Sequence, residues 1–124
     1  MLAGVVSTGI AKTGLNAFSG VLHAWDSSRE SLVYDLMEEF RAPIVDRAVI
    51  SLFGKGWRPA QTKDDWIDRQ SIDRIIEAVR TALVSRVCFR GKDTTMADVI
   101  LAQAEAVRAH LRNRSRYRHF RFKW

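Results

Sequence analysis

Asp35, Glu38 and Glu39 stand at i, i+3 and i+4 in the run SLVYDLMEEF. On a helix that spacing puts three carboxylates on one side, within reach of one another. Asp46 extends the stripe. Like charges this close repel unless something positive joins them, and a hard divalent cation, Mg²⁺ or Mn²⁺, takes such oxygens. The same pattern also describes a solvated face neutralised by Arg41 and Arg47. His23, between Leu22 and Ala24 in the loop before this run, adds an imidazole. Imidazole plus carboxylate is a workable ligand set for Mn²⁺, and a lone loop histidine equally serves as a hydrogen-bonding residue. Cys88 has no histidine near it and reads as a buried structural thiol. Ser27, Ser28 and Ser31 read as cap residues, and there is no Gly-rich phosphate loop or dinucleotide fingerprint.

The second candidate region is the C-terminal run RNRSRYRHFRFKW. From Arg108 to Trp124 the chain holds seven cations and no acid. Arg112, Arg114, Arg116 and Arg118, with Arg29 ahead of the acidic run, are the candidate phosphate contacts. Tyr117, Phe120, Phe122 and Trp124 are interleaved among the cations and could stack on bases. They could also pack onto the helices as an extended tail. His110 and His119 read as solvated or phosphate-facing.

The elements that must position these groups follow from periodicity. Leu2 to about Thr13 reads as a buried helix, stopped by Gly14. It starts abruptly on apolar residues at Met1, as though the chain were the end of something longer. Residues 14–30 read as a loop, with Ser27 and Glu30 as a capping box. A helix over about Ser28 to Phe53 carries Leu32, Leu36, Phe40, Ile44 and Ala48 on one stripe, and Pro43 kinks or splits it. After a loop over residues 54–66, Ile72, Ile75, Ile76, Val79, Leu83 and Val87 predict a helix from about Ile67 to Phe89, broken by Gly91. Thr95 with Asp98 caps a last helix over about Met96 to Leu111. No stretch alternates well enough for a sheet, so the expected fold is all-α, a single domain of four to five helices with an irregular basic tail.

Composition narrows the function. The 124 residues suffice for one modest core, and the net charge of +6 favours polyanions. One cysteine excludes an internal disulfide and a cysteine-based zinc cage. No apolar run reaches membrane-span length, and the first 25 residues, with Lys12 as their one charge, lack the pattern of a signal peptide. The expected compartment is the cytoplasm.

The stretch GLNAFSGVLH followed by SLVYDLMEEFRAPIVDRAV resembles the C-terminal catalytic domain of the CRISPR-associated integrase, the Cas-one family. That family shows a GL-x-P-x-x-G-x-x-H stretch and then a helix of the form SL-x-x-DL-x-E-x-F-R-P. The likeness is dense over residues 14–49 and extends through Ile100 to Ala104 to the tyrosine-to-aromatic ending. It implies a metal-dependent DNA endonuclease and integrase using Mg²⁺ or Mn²⁺. Such an enzyme acts on double-stranded or branched DNA, with a Cas-two family protein as partner and self-association. The family's metal-binding histidine matches His23, its acidic ligand matches Glu38, and Asp35 matches an acidic position lining the same site. The family's proline after the GL pair is replaced, giving Asn16-Ala17. The family's N-terminal β domain and an earlier ligand glutamate have no counterpart, since no acid precedes His23. The sequence therefore reads as the C-terminal portion of a family member, with apolar surface left exposed on its first segment.

Overall fold

The computed structural model describes residues 1–20 and 29–122. The elements run α1 (Leu2–Thr13), α2 (Ser31–Phe40), a π-helical turn (Arg41–Asp46), α3 (Arg47–Gly54), α4 (Arg69–Val84), β1 (Arg86–Phe89), β2 (Lys92–Thr95) and α5 (Met96–Leu111). The fold is mostly helical, but the antiparallel pair β1–β2 corrects the all-α expectation.

The core lies where α1, α2 and α5 meet. Val6, Ile10, Phe40, Ile44, Val99, Ile100 and Ala104 are each at most 1% exposed. Burying each of the larger of these side chains contributes roughly 1.5–3 kcal/mol. Gly9 sets the approach of α1 to α5, because a Cβ there would meet Leu101 Cδ2 at 3.3 Å and Ala104 Cβ at 3.6 Å. The larger apolar residues of α1 are thus mostly covered, contrary to the expected exposed surface. Gly14 ends α1 in the left-handed conformation, φ 71°, as its sequence position predicts.

Pro43 splits the long helix rather than ending it. Its ring clashes with the carbonyl four residues back and it has no N–H to donate. The helix widens to π geometry through this stretch, and the Arg47 amide reaches back to the Ala42 carbonyl. Pro43 and Ile44 both remain buried, so the apolar stripe runs unbroken from α2 towards α3.

Two capping residues fix the second half. The Asp68 side chain accepts from the Ser71 amide at 2.9 Å and starts α4. Ser71 Oγ in turn accepts from the Ala60 amide at 3.0 Å, tying the preceding loop down. At the start of α5, Thr95 and Asp98 form a reciprocal capping box.

The helix predicted to Phe89 stops at Val84. Val87 continues the helical spacing of Leu83 but sits on β1, paired with Thr94. Arg90 and Gly91 join the strands with φ values of 52° and 77°. Two positive φ angles in a two-residue loop are the demand of a tight hairpin turn, and glycine meets it at the second position. Arg86 and Asp93 pair across the hairpin at 2.6 Å. Cys88, expected to be buried, is exposed on β1.

Replacing the α5 cap, Thr95→Ala, is expected to cost about 1 kcal/mol at neutral pH. Hydrogen bonds from the Thr95 hydroxyl and amide hold the Asp98 carboxyl below its ordinary value. That contribution is full at neutral pH and lost as pH falls below about 4. Urea unfolding of both proteins at pH 7 and pH 3 should show the difference shrink in acid; an equal difference at both would contradict the carboxylate's part in the cap.

Candidate metal and nucleic-acid site

The three α2 carboxylates occupy three different environments. Glu38 faces solvent, its side chain 54% exposed, with Arg41 only at 4.0 Å. Asp35 is 9% exposed and forms part of the wall of a cavity of about 310 Å³ between α2 and α5. Glu39 turns towards the C-terminal tail. It accepts a short hydrogen bond from the Tyr117 hydroxyl, and one from the Phe120 amide at 2.9 Å. Gln103 Nε2 lies 3.1 Å from Glu39, 3.1 Å from the Tyr117 hydroxyl and 3.0 Å from the Arg118 carbonyl. Burial and the adjacent Glu39 carboxylate push the Tyr117 hydroxyl well up, so it stays a donor at all physiological pH.

This division decides which oxygens can meet a cation. Both Glu39 oxygens are occupied by protein donors, so it is structural. Glu38 is the α2 carboxylate open to solvent, and Asp35 stands one turn before it; carboxylate oxygens of this kind suit a hard cation keeping several waters. His23 lies outside the described residues, as do Asp26 and the predicted Ser27 cap. Among the described residues, no group of three or more His, Cys, Asp or Glu side chains gathers to hold a metal.

The tail aromatics mostly pack. Phe120 stacks on Phe40 with ring centroids 5.5 Å apart and meets Phe89 edge-on at 5.9 Å. Phe122 lies beside Phe120 and under the Arg47 guanidinium, 4.8 Å from its centroid. The tail arginines behave differently: Arg112, Arg114, Arg116 and Arg118 are all exposed, as is Arg29 at the entry to α2. His110 Nδ1 is 3.2 Å from the Ser115 carbonyl, and His119 receives the Arg121 Nε–H at 3.0 Å. The sequence assigns no role to Arg90, and it places Gln103 in the Ile100–Ala104 run of the family resemblance without a role. A signal for Gln103 is nevertheless present, since a lone amide shares the apolar face of Ile100 and Val107 and must find partners there.

The family model for CRISPR associated protein Cas1 matches residues 1–86. The chain belongs to the Cas1 family. A CRISPR-associated endonuclease Cas1 from Archaeoglobus fulgidus is 34% identical over 119 residues, covering 90% of this chain and 34% of the relative. A casposase bound to integration product is similar in structure, with a TM-score of 0.79, 29% identity and coverage of 92% of this chain and 35% of the other. The Cas1 protein of Thermotoga maritima shares the fold, with a TM-score of 0.80 at 22% identity, covering 89% of this chain and 36% of that one. The chain thus spans little more than a third of the length of the relatives it matches. The Cas1 match takes in His23, Asp35 and Glu38, whereas β2, α5 and the tail lie beyond it. No helix among the described residues is long and apolar enough to cross a membrane.

The Glu39 cluster gives a direct test. Tyr117→Phe removes a hydrogen bond to a charged acceptor and is expected to cost about 1.5–3 kcal/mol. Amide exchange at Phe120 should accelerate in step with that loss. Unchanged protection at Phe120 would mean the tail is held by its aromatic packing alone.

Proposed function

We propose that this chain carries part of the catalytic centre of a metal-dependent DNA endonuclease and integrase of CRISPR adaptation. It would join the 3′-hydroxyl ends of spacer DNA to the repeat of the array by transesterification. A new bond forms from the hydroxyl oxygen to phosphorus, and the existing bond from phosphorus to the repeat strand's 3′ oxygen breaks. The observation that carries this reading is the split among the α2 carboxylates. Glu38 is left open to solvent with Asp35 one turn before it, while Glu39 is withdrawn into structure. Glu38 and His23 would hold Mg²⁺ or Mn²⁺, with Asp35 lining the site. Such an ion supplies activation of the attacking hydroxyl and stabilisation of charge on the leaving oxygen. The exposed arginines of the tail, together with Arg29, would meet DNA phosphates, whether duplex or branched. The relative solved with an integration product supports the reaction class. A Cas-two family protein and further copies of this chain are the expected partners, and the cytoplasm the expected compartment.

One observation favours a second reading, a non-catalytic DNA-binding or assembly module derived from the same enzyme. No acid precedes His23 within these 124 residues, so this stretch supplies His23 and Glu38 without the family's earlier glutamate. Strand transfer on a branched DNA, run with Mn²⁺ and with EDTA, separates the two. The enzyme reading expects metal-dependent joining that Glu38→Ala and His23→Ala each reduce by a hundredfold or more. Salt-sensitive DNA binding without any joining would establish the module instead.

A further inference from the structure

Away from the carboxylates, a groove of about 870 Å³ runs between the hairpin and the C-terminal tail, bordered by α5. Arg90 enters it from the hairpin turn, and Arg116, Arg118, His119 and Arg121 from the tail. Its one acid, Glu105, is engaged by Arg108 at 3.2 Å. Among the described residues, no carboxylate pairs with Arg116, Arg118 or Arg121. Four guanidinium groups facing one concave space repel each other unless an anion lies between them. The Arg90 guanidinium is held in place, bonded to Gln103 Oε1 at 3.3 Å and lying 4.7 Å over the Phe89 ring.

We propose that this groove gathers Arg116 and Arg118 of the tail with Arg90 and Arg121 into one DNA-contact channel, which grips the phosphodiester backbone and leaves the bases unread. It rests on the DNA-handling reading above and deepens it. The backbone is favoured because the groove's two phenyl rings are already engaged, and its His119 imidazole accepts from Arg121. Phe120 is stacked on Phe40 and flanked by Phe89 and Phe122, and Phe89 is covered by Arg90. Each ring thus has a face taken by a neighbour, while planar guanidinium forks suit phosphate oxygens. Binding of this kind is sequence-tolerant and sensitive to salt.

Cys88 lines the same groove, is exposed and is the single cysteine of the chain, so it reports occupancy directly. The experiment follows alkylation of Cys88 by N-ethylmaleimide, free and with saturating dT or dA homopolymer strands, while anisotropy follows DNA binding itself. The expected result is a slowing of about tenfold or more by both strands, reversed by salt. Arg116→Ala with Arg121→Ala, neither of which touches the Glu39 cluster, should abolish the protection. The same pair should flatten the salt dependence of binding by about 1.4 in log–log slope, since each phosphate that is no longer neutralised removes about 0.7. An unchanged thermal midpoint shows that the variant is folded, and Arg90→Ala offers an independent third position. DNA that binds while Cys88 reacts at its free rate and the slope is unmoved overturns the groove but leaves the DNA reading standing. Protection by only one of the two homopolymers overturns the claim that bases go unread. Absence of binding both to these strands and to the branched DNA overturns both readings.

Discussion

Glu39 accepts from the Tyr117 hydroxyl, the Phe120 amide and the Gln103 amide at once. A half-buried carboxylate is costly to leave without donors, so each of these groups is constrained by the others. The consequence reaches the whole domain. Holding the Phe120 amide against α2 sets the Phe120 ring on Phe40, and that ring in turn supports Phe89 of the hairpin. A tail that composition alone describes as a basic, solvated extension is therefore half a structural element. Its Tyr117, Phe120 and Phe122 pack against the core, and its described arginines lie on the surface.

The same constraint sorts the acidic stripe. One carboxylate tethers the tail, one is buried at a cavity, and one stands in solvent. The π turn that follows is the local response to Pro43, and it begins immediately after Phe40. By absorbing the proline, it keeps Ile44 in the core. α2 is thus held at its C-terminal end, by the tail at Glu39 and by the continuing helix beyond it, which keeps Asp35 and Glu38 in a fixed relation to α5.

Much of this is legible in residue order. The apolar stripes of α1, α2 and α5, the Gly14 stop, the effect of Pro43 and the Thr95–Asp98 cap all rest on local rules, and each lies where those rules put it. The hairpin is not legible, because Val87 falls four residues after Leu83 and mimics another helical turn. The decisive feature is the Arg90–Gly91 pair, which reads as a helix breaker until its two positive φ angles are seen. The aromatic ending leaves packing and stacking open, since the choice depends on Glu39, 81 residues away from Phe120. For the site, spacing groups three carboxylates but gives no means of telling which one the tail claims. The family resemblance separates Glu38 from Glu39, and tertiary contacts supply the reason.

The 81-residue separation between Glu39 and the Phe120 amide also has a meaning in time. A ribosome delivers α2 long before it delivers the tail. Until residue 120 has cleared the exit tunnel, Glu39 has neither its tyrosine nor its amide donor, and the outer face of Phe40 is uncovered. The nascent chain can form helices as it emerges, yet its core closes only once residue 120 is free to pack. A product stalled or clipped before Phe120 would leave that face of Phe40 open.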